Sequence, residues 1–300
     1  MRLLSKILGG VVIVGVALLA ILLIPAHLQI RGVEPELPSH AELRALSTVE
    51  NGPVRLRYIN TSSQRLPAGR LGHTVFLAEW PNGNLFMIDA GMDRANAIEF
   101  GRLMETALGA EEAVLHGTVA DLLGEATTRV QGVAYTHLHI DHAQGTVPFC
   151  ELRGAGASVY QTSWQAELHN FNTTEAAAIV ADSCLATGGL TEGKLMEVDG
   201  FPGLGVVALG GHTPGSTLFV VAAKDRIWLL SGDIANSKAD LLSNTGKGFL
   251  YSYLMVPENT ARTEELRQWF AGLDSNVDMT VLVSHDLPDI EASGLVEFVR

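Results

Sequence analysis

Three imidazoles and one carboxylate fall within six residues, at His137, His139, Asp141 and His142 in the run Thr136-His137-Leu138-His139-Ile140-Asp141-His142. Nitrogen and carboxylate oxygen donors crowded this closely suit a divalent cation, because they are the usual ligands of catalytic zinc and its borderline relatives. Three further groups stand apart: His212 in Gly210-Gly211-His212-Thr213-Pro214-Gly215-Ser216, Asp233 in Ser231-Gly232-Asp233, and His285 in Ser284-His285-Asp286. Counting donors gives two ions. His137, His139 and His212 supply three nitrogens to the first, Asp141, His142 and His285 supply one oxygen and two nitrogens to the second, and Asp233 is left to bridge. Three protein ligands and a shared carboxylate leave open positions, as catalytic rather than structural sites require. Two ions ~3.5–4 Å apart can share a hydroxide, lower its pKa toward neutrality and polarise a carbonyl or phosphoryl oxygen. The expected catalytic residues are Asp141, which would orient the hydroxide and carry a proton to the leaving group, with His212 and Asp233.

Each of these groups follows an apolar stretch with strand character. VQGVAYT (130–136) precedes the first cluster, GVVALG (205–210) precedes His212, IWLL precedes Ser231, and MTVLV (279–283) precedes Ser284. That shared placement predicts one edge of a sheet structure where four loops meet. Strands are also expected at 54–60, 157–161 and 194–199, a hairpin at 73–91 about Pro81-Asn82-Gly83, and a helix from Arg94 through RANAIEFGRLMETAL. TVFLAEWPNGNLFMIDAG at 74–91 matches TLFVVAAKDRIWLLSGD at 217–233 in pattern once one turn residue is deleted. Two similar halves would give two sheets packed face to face with helices outside, an αββα sandwich of the α/β class; two unrelated hairpins of like pattern are the other reading. The Ala-rich stretch at 162–191 is either a lid over the site or peripheral packing.

The 300 residues are 47% hydrophobic and 18% charged, too apolar for a disordered chain. Asp and Glu number 33 against 20 Lys and Arg, and two of those bases, Arg2 and Lys6, precede the N-terminal apolar run, so the rest stands at −15. A body this acidic disfavours nucleic acid as a partner. Residues 7–24 carry no charge, about the length that crosses ~30 Å of hydrocarbon as a helix. An uncleaved membrane anchor over 1–30 is the expectation, with cleavage near Ala26 or a buried core helix as alternatives. Arg2 and Lys6 ahead of the run place the N-terminus in the cytoplasm and the catalytic domain outside. A linker over 31–52 and a hydrolase domain over 53–300 follow, with Pro25, Pro35, Pro38 and Pro53 discouraging continuous helix between anchor and body. Cys150 and Cys184 would either pair in an exported domain or stand as two separate core residues. Nothing in the sequence indicates the oligomeric state.

In their order and composition, H-L-H-I-D-H, the lone histidine of G-H-T-P-G-S, S-G-D and S-H-D resemble the motifs of the metallo-β-lactamase superfamily, from about residue 72 to residue 287. The resemblance implies the four-layer αββα fold, metals at the sandwich edge, and the same seven ligands. It also matches Asp89, in I-D-A-G, to the family's first motif aspartate, which supports the metal loop. β-Lactamases of the superfamily generally have cysteine or serine near the place of Asp233, which counts against antibiotic hydrolysis. Sites with the aspartate resemble those of N-acyl-homoserine lactonases, glyoxalase II thioesterases, phosphodiesterases and tRNA-processing nucleases. Only fifteen residues follow His285, too few for a glutathione-binding region, and the acidic body disfavours polyanions. The expected activity is therefore a zinc-dependent, binuclear hydrolysis of an ester, lactone or thioester of a small, partly apolar molecule. A phosphodiesterase or β-lactamase-like hydrolase, an iron-dependent redox protein and a noncatalytic metal-binding module are the alternatives. Tyr251 and Tyr253 read as packing aromatics, with an oxyanion-donor role as the other possibility, and His73, His116 and His169 read as ordinary histidines.

Overall fold

The computed structural model describes residues 2–67, 69–223 and 226–299, with side chains from Gly10 onward. The first sheet contains β1 (Arg55–Leu66), β2 (Gly69–Glu79), β3 (Leu85–Ile88), β4 (Val114–Leu115), β5 (Val130–Ala134), β6 (Ser158–Tyr160) and β7 (Ala186–Thr187). The second contains β8 (Met196–Glu197), β9 (Leu204–Ala208), β10 (Thr217–Ala223), β11 (Arg226–Leu230) and β12 (Met279–Leu282), and the last strand, β13 (Val296–Glu297), returns to the first sheet beside β1. The strand orders are β13-β1-β2-β3-β5-β6-β7, with β4 also on β1, and β12-β11-β10-β9-β8.

Burial on both faces of the central strands sets the layers. In β10 every residue is buried. Phe219, Val221 and Ala223 enter an inter-sheet core with Phe76, Phe86 and Trp228. The alternate residues Leu218, Val220 and Ala222 pack with Leu266, Phe270 and Leu273 of the helix Thr260–Asp274. On the far side, Val75, Leu77, Leu85 and Met87 pack under Val119, Leu123, Phe149 and Val180. Each fully buried Leu, Val or Phe is worth about 1.5–3 kcal/mol, so two-sided burial of both hairpins drives the stacking. The result is helix, sheet, sheet, helix, the expected αββα sandwich. The echoed segments are the hairpins β2–β3 and β10–β11, one in each sheet.

Strand direction explains why the polar loops converge. β3 and β5 are parallel, as are β11 and β12. β9 and β11 both run antiparallel to β10 and hence in the same direction as each other. The loops after β3, β5, β9, β11 and β12 therefore leave at C-terminal strand ends, where α/β sheets present their ligand-binding crevices.

Several segments differ from the sequence expectation for identifiable reasons. β1 continues to Leu66 through Thr61, Ser62 and Gln64, whose polarity hides the strand. Thr61 and Gln64 are buried with partners: Thr61 Oγ1 donates to His73 O (2.9 Å), and Gln64 Nε2 to Gly101 O (3.0 Å) and Glu111 O (2.7 Å). The N-terminal helix α1 (Arg2–Arg31) runs through Pro25 and stops at Gly32. Proline costs one internal hydrogen bond, and no helix stop follows it until the glycine. Residues 31–52 also pack on the body. Ser39 and Glu42 form a capping box for α2 (His40–Ala45), Leu43 and Leu46 enter the outer core of the second sheet, and Arg262 donates to Pro35 O (2.6 Å). Within the stretch 162–191, Ala176 and Val180 lie in the outer core of the first sheet, while Gln165 Nε2 donates to Gly215 O (2.8 Å) in the loop that carries His212.

That stretch is tied down by a Cys150–Cys184 disulfide closing a sequence separation of 34. Loop entropy assigns a closure of this length about 3–4 kcal/mol. The double variant Cys150→Ser/Cys184→Ser should lose about that much in denaturant unfolding; an unchanged midpoint would show that the bridge constrains nothing.

Candidate metal centre

Each loop at the strand ends delivers its side chain by a local device. Asp89, fully buried and held at φ +64, accepts from Thr136 N–H (2.7 Å), Thr136 Oγ1 (2.9 Å) and His142 Nδ1 (3.0 Å). It thereby braces the His137–His142 loop against the end of β3. Asp233 follows Gly232 at φ +61, where a Cβ would stand 2.9 Å from Thr136 Cβ, so only glycine lets the two loops meet this closely.

The outward nitrogens of His212, His285, His137 and His142 are fixed by their partners, and this decides what faces inward. His212 Nδ1 lies 2.6 Å from Glu258 Oε1, which can only accept, so that nitrogen carries the proton. His285 Nδ1 donates likewise to Gly72 O (2.9 Å). Thr136 Oγ1 donates to Asp89 and accepts from His137 Nδ1 (3.2 Å). The Nε2 atoms of these rings, and that of His142, point at one another. His137 Nε2 and His212 Nε2 stand 3.0 and 3.2 Å from His139 Nδ1. His142 Nε2 and His285 Nε2 stand 3.2 Å apart. Burial, then the neighbouring His212, pulls His139 down to about 3, so it stays neutral with its lone pair available. Three neutral rings cannot satisfy one another around a common point; a cation satisfies all three.

The second group is richer in carboxylate. Asp141 Oδ2 lies 3.3 Å from His285 Nε2 and 3.6 Å from His142 Nε2. Burial works against charge on His285, yet Asp233 and Asp141 carry its pKa well above the usual range. The pocket thus draws positive charge. Asp233 touches both groups: Oδ2 is 3.3 Å from His285 Nε2 and 4.0 Å from His212 Nε2, and Oδ1 is 3.6 Å from His142 Nε2. Among the described residues, Asp233 Oδ1 and His139 Nε2 find no hydrogen-bond partner although both are buried. Donor atoms of His137, His139 and His212 lie within 4.8 Å of one another, as do those of His137, His142 and Asp233, and of His73, Asp141 and His285. An orphaned buried carboxylate oxygen and converging lone pairs fit divalent cations.

All seven residues singled out by the sequence thus lie in one cluster. The tyrosines divide: the Tyr251 ring runs parallel to His212 at 6.5 Å, whereas Tyr253 turns to His27 and Thr260. Burial raises the Tyr251 phenol well above its ordinary value, keeping it protonated. His116 and His169 bond elsewhere, to Ser63 and Ala166 O. Two neighbours, Lys247 and Glu258, escape the sequence reading, and a third, His73, reads there as an ordinary histidine but belongs to the cluster. His73, on β2, sits 3.6 Å from Asp141, and burial, then His285, holds it down to about 3. Lys247 Nζ is 3.9 Å from Asp233 and 3.7 Å from Glu258. Glu258 orients His212 and accepts from Ser252 Oγ (2.5 Å). The one sequence signal for Lys247 is a lone charge between Gly246 and Gly248.

Orienting partners of metal-binding histidines matter for affinity about as ligands do. Glu258→Gln should weaken metal binding about 10–100-fold without unfolding the chain, measured by chelator competition. Unaltered affinity would mean that the ring is held by packing alone.

The profile of the Metallo-beta-lactamase superfamily matches residues 68–269. Comparison with curated proteins gives no match. Among solved structures, an N-acyl homoserine lactone hydrolase with the product N-hexanoyl-L-homoserine bound at its catalytic metal center aligns at TM-score 0.59 and 16% identity, covering 82% of this chain and 98% of the other. A quorum-quenching N-acyl homoserine lactone lactonase aligns at TM-score 0.59 and 15% identity, covering 83% and 99%. A probable metal-dependent hydrolase from Staphylococcus aureus aligns at TM-score 0.53 and 16% identity, covering 79% and 91%. The profile spans two hairpins, one per sheet, and three of the four loops that carry the clustered histidines and aspartates, and by that match the chain belongs to the metallo-beta-lactamase superfamily.

Proposed function

We propose that the chain is a binuclear metal-dependent hydrolase that cleaves an ester, lactone or thioester of a small, partly apolar molecule. The observation that carries this reading is the meeting of two inward-facing donor groups at one carboxylate, Asp233. His137, His139 and His212 would hold one ion, Asp141, His142 and His285 a second, with Asp233 between them. Two divalent cations held there, zinc in the first place, would bring the pKa of water toward neutrality and draw electron density from a substrate carbonyl. Asp141, ionised beside His285 and His142, would orient the attacking water and pass a proton to the leaving alkoxide. Lys247, held within 3.9 Å of Asp233, adds fixed positive charge beside the reacting centre, and the protonated Tyr251 phenol is a neutral donor in the same wall. Lactone-hydrolysing neighbours of the same fold support the choice of bond.

The metal-loaded protein in detergent, assayed against lactones, thioesters, phosphodiesters and a β-lactam, tests the assignment. Preference for a carboxylic ester bond is expected; turnover confined to phosphodiesters or the β-lactam, or none with both ions bound, overturns it. Iron with oxygen or NO reduction would favour the redox reading.

We also read α1 as an anchor that places the catalytic body outside the cytoplasm. An 18-residue window within its segment Gly10–Arg31 reaches mean hydropathy 2.8, with 11% of that window buried. The disulfide suits an oxidising compartment. Leu23, Ala26 and Ile30 are nevertheless buried against the body. Removing residues 1–19 should therefore release soluble, active protein, whereas a cut past Ile30 should cost about 2–3 kcal/mol from that side chain alone. Equal unfolding midpoints for the two truncations would contradict this.

A further inference from the structure

The π-helical turn Tyr251–Met255 and the residues before it present two opposite faces. The inward face belongs to the metal centre: Lys247 Nζ lies 3.4 Å from His212 Nδ1, and Tyr251 runs parallel to the same ring. The outward face is apolar and open. Phe249 is 67% exposed, Leu250 68% and Met255 56%, and no residue from 248 to 257 is charged. Large apolar side chains grouped at the surface mark an interaction site.

The adjoining element shows what covers them. His27 Nε2 of α1 meets Tyr253 O at 3.1 Å, their rings lie 5.6 Å apart, and Phe249 stacks on Tyr253 at 4.9 Å. Asn172 Nδ2 donates to Met255 O (2.9 Å) and Gln29 Nε2 to His169 O (3.2 Å), which brings the exposed Phe171 to the same place. At ~1.5 Å per helical residue, His27 lies ~4.5 Å beyond Ile24, where the continuous apolar run of residues 7–24 ends, the uncharged stretch itself reaching Ile30. Tyr253 thus sits at the edge of the hydrocarbon, the level aromatic belts occupy. On α1 itself, Leu23 and Ala26 are buried while Ile24 and Leu28 are exposed, so the body docks on one side of the helix and leaves the other to lipid.

We propose that residues 249–255, together with Phe171, form a membrane-seating surface that enters the interface of the bilayer α1 crosses, so that lipid covers the apolar face. This rests on the reading of α1 as an uncleaved anchor. Because the segment that seats on lipid carries Tyr251 and follows directly on Lys247 and Gly248, one wall of the metal centre lies at the membrane surface. An amphiphilic ester dissolved in the bilayer then has the shortest route to it.

The test uses the full chain reconstituted in phosphatidylcholine vesicles. Cys150 and Cys184 are paired, so Leu250→Cys or Leu254→Cys offers a single thiol for an environment-sensitive fluorophore. Val277→Cys, 94% exposed and ahead of β12 at the opposite sheet edge from the metal centre, is the reference. Nitroxide attached near the acyl-chain carbonyl should quench the label at 250 and at 254 at least about threefold more than at 277. Equal quenching in protein that stays with the vesicles through alkaline carbonate overturns the seating surface and leaves the anchor standing. Release by carbonate overturns the anchor and the seating surface with it. Metal content of each labelled variant confirms that it is folded.

Discussion

Replacing His139 or His212 by alanine should lower hydrolysis at least about a thousandfold and leave the chain short of metal, because each would remove one of the three nitrogens proposed to hold the first ion. The two variants differ in what else they disturb. His212 is pinned by Glu258 and lies beside Lys247, so its loss leaves those two side chains, 3.7 Å apart, to pair with each other. His139 has no outward hydrogen bond, its Nε2 being buried without a partner, so alanine there removes the inward nitrogen and little more. His139→Ala is therefore the cleaner measure of the metal's share. Metal analysis beside the rate of lactone opening, with circular dichroism to show an intact fold, decides the matter. Full activity in metal-depleted His139→Ala protein would sink the hydrolytic reading.

What the sequence exposes and what it conceals divide along a physical line. A polar site residue that follows an apolar strand is visible, because the strand has a period of two and the loop after it stands out in polarity; His137, His212, Asp233 and His285 all do so. The hairpins β2–β3 and β10–β11 were legible for the same reason, and their likeness pointed to two sheets. Glu258 lies 46 residues from His212, beyond any spacing rule, and only the docking of the helix Thr260–Asp274 on the second sheet brings it near. His73 sits inside a strand, where an imidazole reads as one more side chain of β2. The second half of β1 stayed hidden because its core-facing groups are hydroxyls and an amide satisfied by distant backbone. Pro25 misled because the surrounding apolar residues sustain the helix on both sides of it.

Asp233→Ser should separate the two ions. The carboxylate lies 3.3 Å from His285, 3.6 Å from His142 and 4.0 Å from His212, and a serine hydroxyl brings neither its reach nor its charge. In the proposed arrangement the first ion would keep three imidazoles, whereas the second would keep two and Asp141, so the loss would fall on the second. A weakening of about a hundredfold for that ion is expected, with a comparable fall in hydrolysis and little change in the affinity of the first. The turn itself survives, since its strained position is Gly232 and not Asp233. Lys247 keeps Glu258 as a counter-charge, so no cation is left buried and unpaired. Zinc titration against a chromophoric chelator would show one tight and one weak equivalent; two equally tight equivalents would remove Asp233 from the bridge. Asp141, still 3.3 Å from His285, then becomes the sole carboxylate near that ring, so adding Asp141→Asn to Asp233→Ser should abolish the second equivalent while the imidazoles of His137, His139 and His212 retain the first.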